Sequence, residues 1–185
     1  MKGFKPIVNA SSRMLILGTF PSKDSLKVNQ YYANATNLFW PLIFAVLEGS
    51  DEETVAKRWN ATTSYKDKIQ YALSHGVALW DVLRSCERKT SADRDILNAK
   101  PNNFRLFFKK YPNIKTIAFN GGGKQKNPRP LSAAGLYKFH IGYDEVFDYL
   151  TLYSSSSEDR NKLDFDSLFL KKYHDWKNIQ SNFLG

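Results

Sequence analysis

Amide and aromatic side chains gather in one stretch of this chain, Leu15 to Pro41, LILGTFPSKDSLKVNQYYANATNLFWP. It holds the amides Asn34 and Asn37, the pair Tyr31-Tyr32, and Thr19 and Phe20 in the turn Gly18-Thr19-Phe20-Pro21-Ser22. Amides donate and accept hydrogen bonds and aromatic faces stack, so a loop carrying both can hold a flat polar ring. Asp81 adds a carboxylate at the end of a second apolar run. Asn120-Gly121-Gly122-Gly123-Lys124 falls short of the phosphate-loop motif, because Gln125 follows the lysine where Ser or Thr is required. Its glycines still let backbone amides approach a phosphate, and Lys124, Lys126 and Arg129 either supply phosphate contacts or are simply solvated. His75, His140 and His174 lack metal-ligand spacing, and Cys86 is the single cysteine, so no metal and no cofactor is expected. No Ser–His–Asp arrangement is readable.

The elements that must position these residues follow from the apolar pattern. Pro6 keeps residues 1–12 extended. Short apolar runs predict four strands, Arg13 to Gly18, Gly76 to Trp80, Ile114 to Phe119 and Asp148 to Tyr153. A glycine and a proline end the first strand in a sharp turn, and a polar loop leads to Tyr31-Tyr32. A helix is predicted over Asn37 to Leu47, where Pro41 fits the first turn alone. Two more cover Asp51 to Trp59 and Ser64 to Ser74, separated by Asn60-Ala61-Thr62-Thr63, with Ser64 as N-cap. Arg84 to Arg94 is charged and reads as a loop; Asn102 to Tyr111 reads as a helix. Leu131 marks the earliest point at which a long helix can begin after Pro130. Asp166 to Phe183 closes the chain as an amphipathic helix, with Phe169, Tyr173, Trp176, Ile179 and Phe183 at helical spacing. Strands alternating with helices predict an α/β fold, a three-layer α/β/α sandwich around a central four-stranded parallel sheet, as one domain over residues 1–185. Ligands of such sheets sit outside the carboxyl ends of the strands, where the strand-end loops converge.

The chain carries 27 Lys+Arg against 18 Asp+Glu, a formal net charge of +9. That excess favours a polyanionic partner, nucleic acid before anionic membrane, or marks a merely soluble basic protein. Aromatic residues make up 15%, more than a core of this size demands, and the surplus suits base stacking. One cysteine, no signal peptide and no apolar run of membrane-spanning length predict a reducing, intracellular (cytoplasmic) location and no membrane partner; a monomer is expected.

The segments LILGTFPS, YYANATNLFWP, GVALWDVLRSCERKTSADRDI, IKTIAFNGG and LTLYSSSS together resemble the uracil-DNA glycosylase superfamily, and most of all its hypoxanthine-DNA glycosylase branch, over nearly the whole chain. Several branches of that superfamily carry a catalytic Asn or Asp in the strand-end turn, where Phe20 stands here. In the hypoxanthine branch the turn is likewise apolar, and the catalytic amide belongs to an H-P-x-N-x-F-W element. That element is matched by Asn34-Ala35-Thr36-Asn37-Leu38-Phe39-Trp40, so the resemblance assigns catalysis to Asn37. Asn34 and Ala35 replace the family's His and Pro, and Tyr153 and Ser157 replace the prolines of its last motif.

The resemblance implies excision of a deaminated base, hypoxanthine first, from DNA in base excision repair, without metal or cofactor. The base must be flipped out of the duplex to be reached. A neutral amide can hold the attacking water and, through its carbonyl dipole, stabilise the positive sugar that develops, as Asn37 would; its other reading is a helix cap. Thr19, Phe20, Tyr32, Asp81 and Asn120 become candidates for holding the base, with Tyr32 stacking on it and Phe20 as a second wall; core packing is the alternative for both rings. A carboxylate at Asp81 would accept the N1–H of hypoxanthine and repel N1 of adenine; the alternatives are a helix cap or an ion pair with Arg84. Ser154, Ser155, Ser156 and Ser157, with Lys124, would meet the DNA, or form a flexible loop. A uracil- or xanthine-excising relative and a non-catalytic nucleic-acid-binding module share this fold; a Rossmann enzyme is disfavoured because no G-x-G-x-x-G follows the first strand.

Overall fold

A computed structural model describes residues 1–121, 131–156 and 165–180. Its elements in chain order are β1 (Met14–Gly18), α1 (Lys23–Val28), α2 (Phe39–Glu48), α3 (Glu53–Thr62), α4 (Tyr65–Ser74), β2 (Val77–Asp81), β3 (Leu83–Glu87), β4 (Leu97–Pro101), α5 (Phe104–Lys110), β5 (Thr116–Asn120), α6 (Ala133–His140), β6 (Asp148–Leu152) and α7 (Phe165–Trp176). The four expected strands pair in the order β2-β1-β5-β6, all parallel. β1 and β2 are buried along their whole length, which is why both read as unbroken apolar runs rather than alternating ones.

Successive strand residues point to opposite faces, and two cores result. Met14, Ile16, Val77 and Leu79 pack with Phe39, Trp40, Ala72, Phe169 and Trp176 of α2, α4 and α7. Leu15, Leu17, Ala78, Trp80, Ile117 and Phe119 pack with Phe104, Phe107 and Tyr137 of α5 and α6. The result is the three-layer α/β/α sandwich with a central four-stranded parallel sheet. The register places Gly18 beside Asp81 and Asn120 beside Leu152, so those strand ends share one edge of the sheet.

Three segments differ from the sequence expectation. Arg84 to Arg94 is not a plain loop: β3 pairs antiparallel with β4, and Asp93–Asp95 forms a short 3-10 turn. Register shifts between Leu83 and Ser85 and between Ser85 and Glu87 break the two-residue alternation, leaving Leu83 and Cys86 inward among charged neighbours. The polar loop before Tyr31 contains the six-residue α1, capped by the Ser22 side chain accepting from Ser25 N–H and ended by Asn29 in the left-handed region. α3 continues through Asn60-Ala61-Thr62, and Thr62 Oγ1 donates back to the Arg58 carbonyl at 2.9 Å within the helix. Ser64 does cap α4, accepting from Asp67 N–H.

Phe169, Tyr173, Trp176 and Ile179 are all buried as their spacing requires. Phe183, Lys124, Lys126, Arg129 and Ser157 lie outside the described residues. Among the described residues no helix is long and apolar enough to cross a membrane, and no group of three His, Cys, Asp or Glu could hold a metal ion.

Candidate active site

The first strand ends on a glycine because of what stands beside it. A Cβ on Gly18 would lie 2.6 Å from Asp81 Oδ1 and 3.3 Å from the Tyr32 hydroxyl. Leaving that carbon out admits a carboxyl and a phenol to the carboxyl edge of the sheet. Tyr32 holds a left-handed backbone (φ 56°), and its ring stacks on Phe39 with centroids 3.6 Å apart. The Tyr32 hydroxyl, Asp81 Oδ2 and Arg88 Nε are buried and make no hydrogen bond among the described residues. Buried polar atoms without partners cost free energy, so three of them around one turn mark a place shaped for something other than stability.

Burial pushes the Asp81 carboxyl up to about 8. The Arg88 guanidinium works against that rise, the Asp93 carboxylate adds to it, and the Tyr31 hydroxyl opposes it. Burial therefore favours the protonated acid over the carboxylate that the sequence suggests. It neither caps a helix nor pairs with Arg84, which is exposed on β3; the Asp81 carbonyl instead accepts from Asn102 Nδ2 at 2.8 Å. Burial, and then Asp81, push the Tyr32 phenol up, while the neighbouring Asn120 amide pulls it back. Gly18→Ala forces Asp81 to move and is expected to lower stability by about 1–3 kcal/mol, read by chemical denaturation. An unchanged midpoint would mean that the carboxyl has room to give way.

The turn after β1 is held from outside by the β3–β4 connection. Thr19 Oγ1 donates to Asp93 Oδ2 at 2.8 Å. The Arg88 guanidinium lies 5.0 Å from the centre of the Phe20 ring and donates to the Pro21 carbonyl and to the Ser91 carbonyl. Lys23 N–H donates to Ser91 Oγ at 3.1 Å. Phe20 belongs to the core that contains Leu15 and Leu17, whereas Tyr32 packs against the opposite core. No ring contact joins these two aromatics among the described residues.

Asn37 stands immediately before α2. Its Oδ1 accepts from Phe39 N–H at 2.9 Å, and its own N–H donates to the Asn34 carbonyl at 2.9 Å. Asn34 Oδ1 in turn accepts from Thr36 N–H at 2.9 Å, while Asn34 Nδ2 donates to Asp24 Oδ2 at 2.8 Å, so this polar residue stiffens the loop. Leu38 N–H donates across to the Ser155 carbonyl at 2.9 Å. Ser155 N–H donates to Asn120 Oδ1 at 2.8 Å, and Asn120 Nδ2 donates to Ser155 Oγ at 2.9 Å. The structure thus joins Asn120 to Ser155, and Ser155 to Leu38, the neighbour of Asn37, while Gly18, Tyr32 and Asp81 meet at the same sheet edge. Ser155 is buried and turned inward; Ser154 and Ser156 are half-buried, and Ser157 and Lys124 lie outside the described residues.

Sequence reasoning passed over Arg88, Asp93 and Lys172. Nothing in a charged run singles out Arg88 or Asp93. Lys172 did leave a signal, since it falls on the apolar stripe of α7 between Phe169 and Trp176.

No protein-family model matches the chain. Over 88% of its length and 90% of the relative's, the chain is 28% identical to a hypoxanthine DNA glycosylase of Methanosarcina barkeri. It is 30% identical to a hypoxanthine DNA glycosylase of Methanosarcina acetivorans, over 65% of this chain and 70% of that one. The solution NMR structure of a candidate uracil DNA glycosylase from Methanosarcina acetivorans is similar at a TM-score of 0.66 and 25% identity, covering 95% of this chain and 98% of that one.

Proposed function

This chain belongs to the hypoxanthine DNA glycosylase family, within the uracil-DNA glycosylase superfamily; it is a DNA glycosylase, and we propose that it removes hypoxanthine from deoxyinosine in DNA with Asn37 as its catalytic residue. In this reading residues 1–185 form one glycosylase domain, working as a monomer inside the cell.

The observation that supports the assignment is the position of Asn37: a side-chain amide fixed at the N-terminus of α2 by Phe39 N–H, beside Leu38, whose N–H holds the loop after β6. The Phe39 N–H takes one lone pair of Oδ1 and fixes which end of the amide is oxygen. The second lone pair remains to receive a proton of the attacking water. That water adds to the anomeric carbon as the glycosidic bond breaks; its proton passes to solvent and the bonding electrons leave with the base. The amide dipole stabilises the positive sugar without itself changing charge, which suits a preorganised site. Asp81, Tyr32, Asn120 and Thr19 hold the flipped base at the strand ends, with Phe20 fixing the turn. Ser154, Ser156, Ser157 and Lys124 meet the DNA backbone.

Uracil is the second reading, favoured by the likeness to a structure described as a candidate uracil DNA glycosylase. Labelled duplexes carrying a single inosine, uracil or xanthine, incubated with the protein and then treated with alkali, decide between them. Strand cleavage is expected first and fastest at inosine. Faster cleavage at uracil selects the second reading, and salt-sensitive binding with no cleavage at any of the three defeats both.

A further inference from the structure

We propose that Lys172 is a positioning residue: from α7 it fixes the loop after β6, and through Ser155 it sets the place of Asn37. The proposal rests on the catalytic role given to Asn37 above.

Lys172 is 1% exposed. Its Nζ donates to the Ser154 carbonyl at 2.5 Å and to the Ser156 carbonyl at 2.6 Å, so one ammonium grips the chain on both sides of Ser155. The residues three and four positions further on, on the same helical face, complete the hold. Asp175 Oδ2 accepts from Tyr153 N–H at 2.6 Å, and Trp176 Nε1 donates to the Tyr153 carbonyl at 2.8 Å. Three side chains of α7 therefore hold residues 153, 154 and 156, on both sides of Ser155. Its N–H and hydroxyl are both taken by Asn120, and its carbonyl receives Leu38 N–H, one residue beyond Asn37.

Burying an ammonium is expensive unless it is fully hydrogen-bonded, and well-packed apolar residues often serve stability as well or better. A lysine at this place is explained by what it specifies. Carbonyls held by a convergent cation keep one loop geometry, and the loop passes that geometry to the entrance of α2. A displacement of about 1 Å at a reacting group can lower a rate by about 100-fold.

The test uses Lys172→Met, Lys172→Arg and Asn37→Ala in the full chain, with two readouts. One is amide hydrogen exchange at Leu38 and Ser155, with Ile16 of β1 as the control for global opening. The other is the single-turnover excision rate at saturating protein, measured on an inosine duplex. In Lys172→Met, exchange at Leu38 is expected to rise about tenfold or more with Ile16 unchanged. The excision rate is expected to fall about 10- to 100-fold, with duplex affinity changing much less. Lys172→Arg keeps the charge but cannot aim one nitrogen at both carbonyls, so an intermediate loss is expected; it carries the test if the methionine variant does not fold. Unchanged protection at Leu38 overturns the proposal. So does faster exchange with full excision in a background where Asn37→Ala is inactive. If Asn37→Ala itself excises normally, the catalytic assignment falls on its own, and the exchange data still judge the clamp.

Discussion

Asn37→Ala is expected to lower the single-turnover rate of hypoxanthine excision by about 100- to 1,000-fold, the usual consequence of removing one preorganised dipole from a transition state. The same substitution removes the acceptor of Phe39 N–H at the head of α2 and should cost about 1 kcal/mol of stability. The two effects separate the catalytic role from capping. A residue that only caps loses stability, and at a temperature far below the melting midpoint leaves the rate of the folded protein nearly unchanged. Asn37→Asp sharpens the comparison, because it retains an acceptor for Phe39 N–H and an oxygen for water. It should keep the stability of the parent and a large part of its rate. Full excision by Asn37→Ala at 25 °C would remove Asn37 from the chemistry and leave it a cap.

Much of this site was legible because it is built from local signals. Three of the four parallel strands, β1, β2 and β5, are buried apolar runs, Gly18 and Pro21 punctuate the first of them, and Asn37 stands just ahead of an apolar helix whose Pro41 fits its first turn alone. What escaped depends on long-range partners. The β3–β4 ribbon hides its alternation behind two register shifts, so its inward Leu83 and Cys86 are lost among charges. Arg88 matters through Phe20 and Pro21, which are nearly seventy positions away, and no spacing rule links them. Ser155 was readable as a strand-end serine but not as inward-facing, because that orientation is imposed by Asn120 and α7. Asp81 was readable as a strand-end acid. The upward shift of its titration was not, because that comes from burial in the fold.

That shift makes the second large prediction. In the unfolded chain Asp81 titrates near the ordinary aspartate value of about 4; in the fold burial raises it to about 8. Between these values the folded protein holds a proton that the unfolded chain has released, so stability must fall as pH rises. The slope from this one group is at most about 1.4 kcal/mol per pH unit. The contribution is intact below the unfolded value and fully lost above the folded one. Denaturation midpoints measured from pH 5 to pH 9 should therefore decline more steeply in the parent than in Asp81→Asn, which cannot ionise; parallel curves would show that Asp81 titrates normally. The same proton bears on base choice. The acid form offers an O–H donor and a carbonyl acceptor, and so can pair with O6 and N1–H of hypoxanthine or, reversed, with N1 and the amino group of adenine. The carboxylate only accepts, and it confronts the N1 lone pair of adenine. The ratio of hypoxanthine to adenine excision should rise about tenfold or more between pH 6 and pH 9 in the parent, a shift of about 1.4 kcal/mol, and stay flat in Asp81→Asn. A flat ratio in both proteins would take base reading away from Asp81 and leave it as the buried acid that Gly18 makes room for.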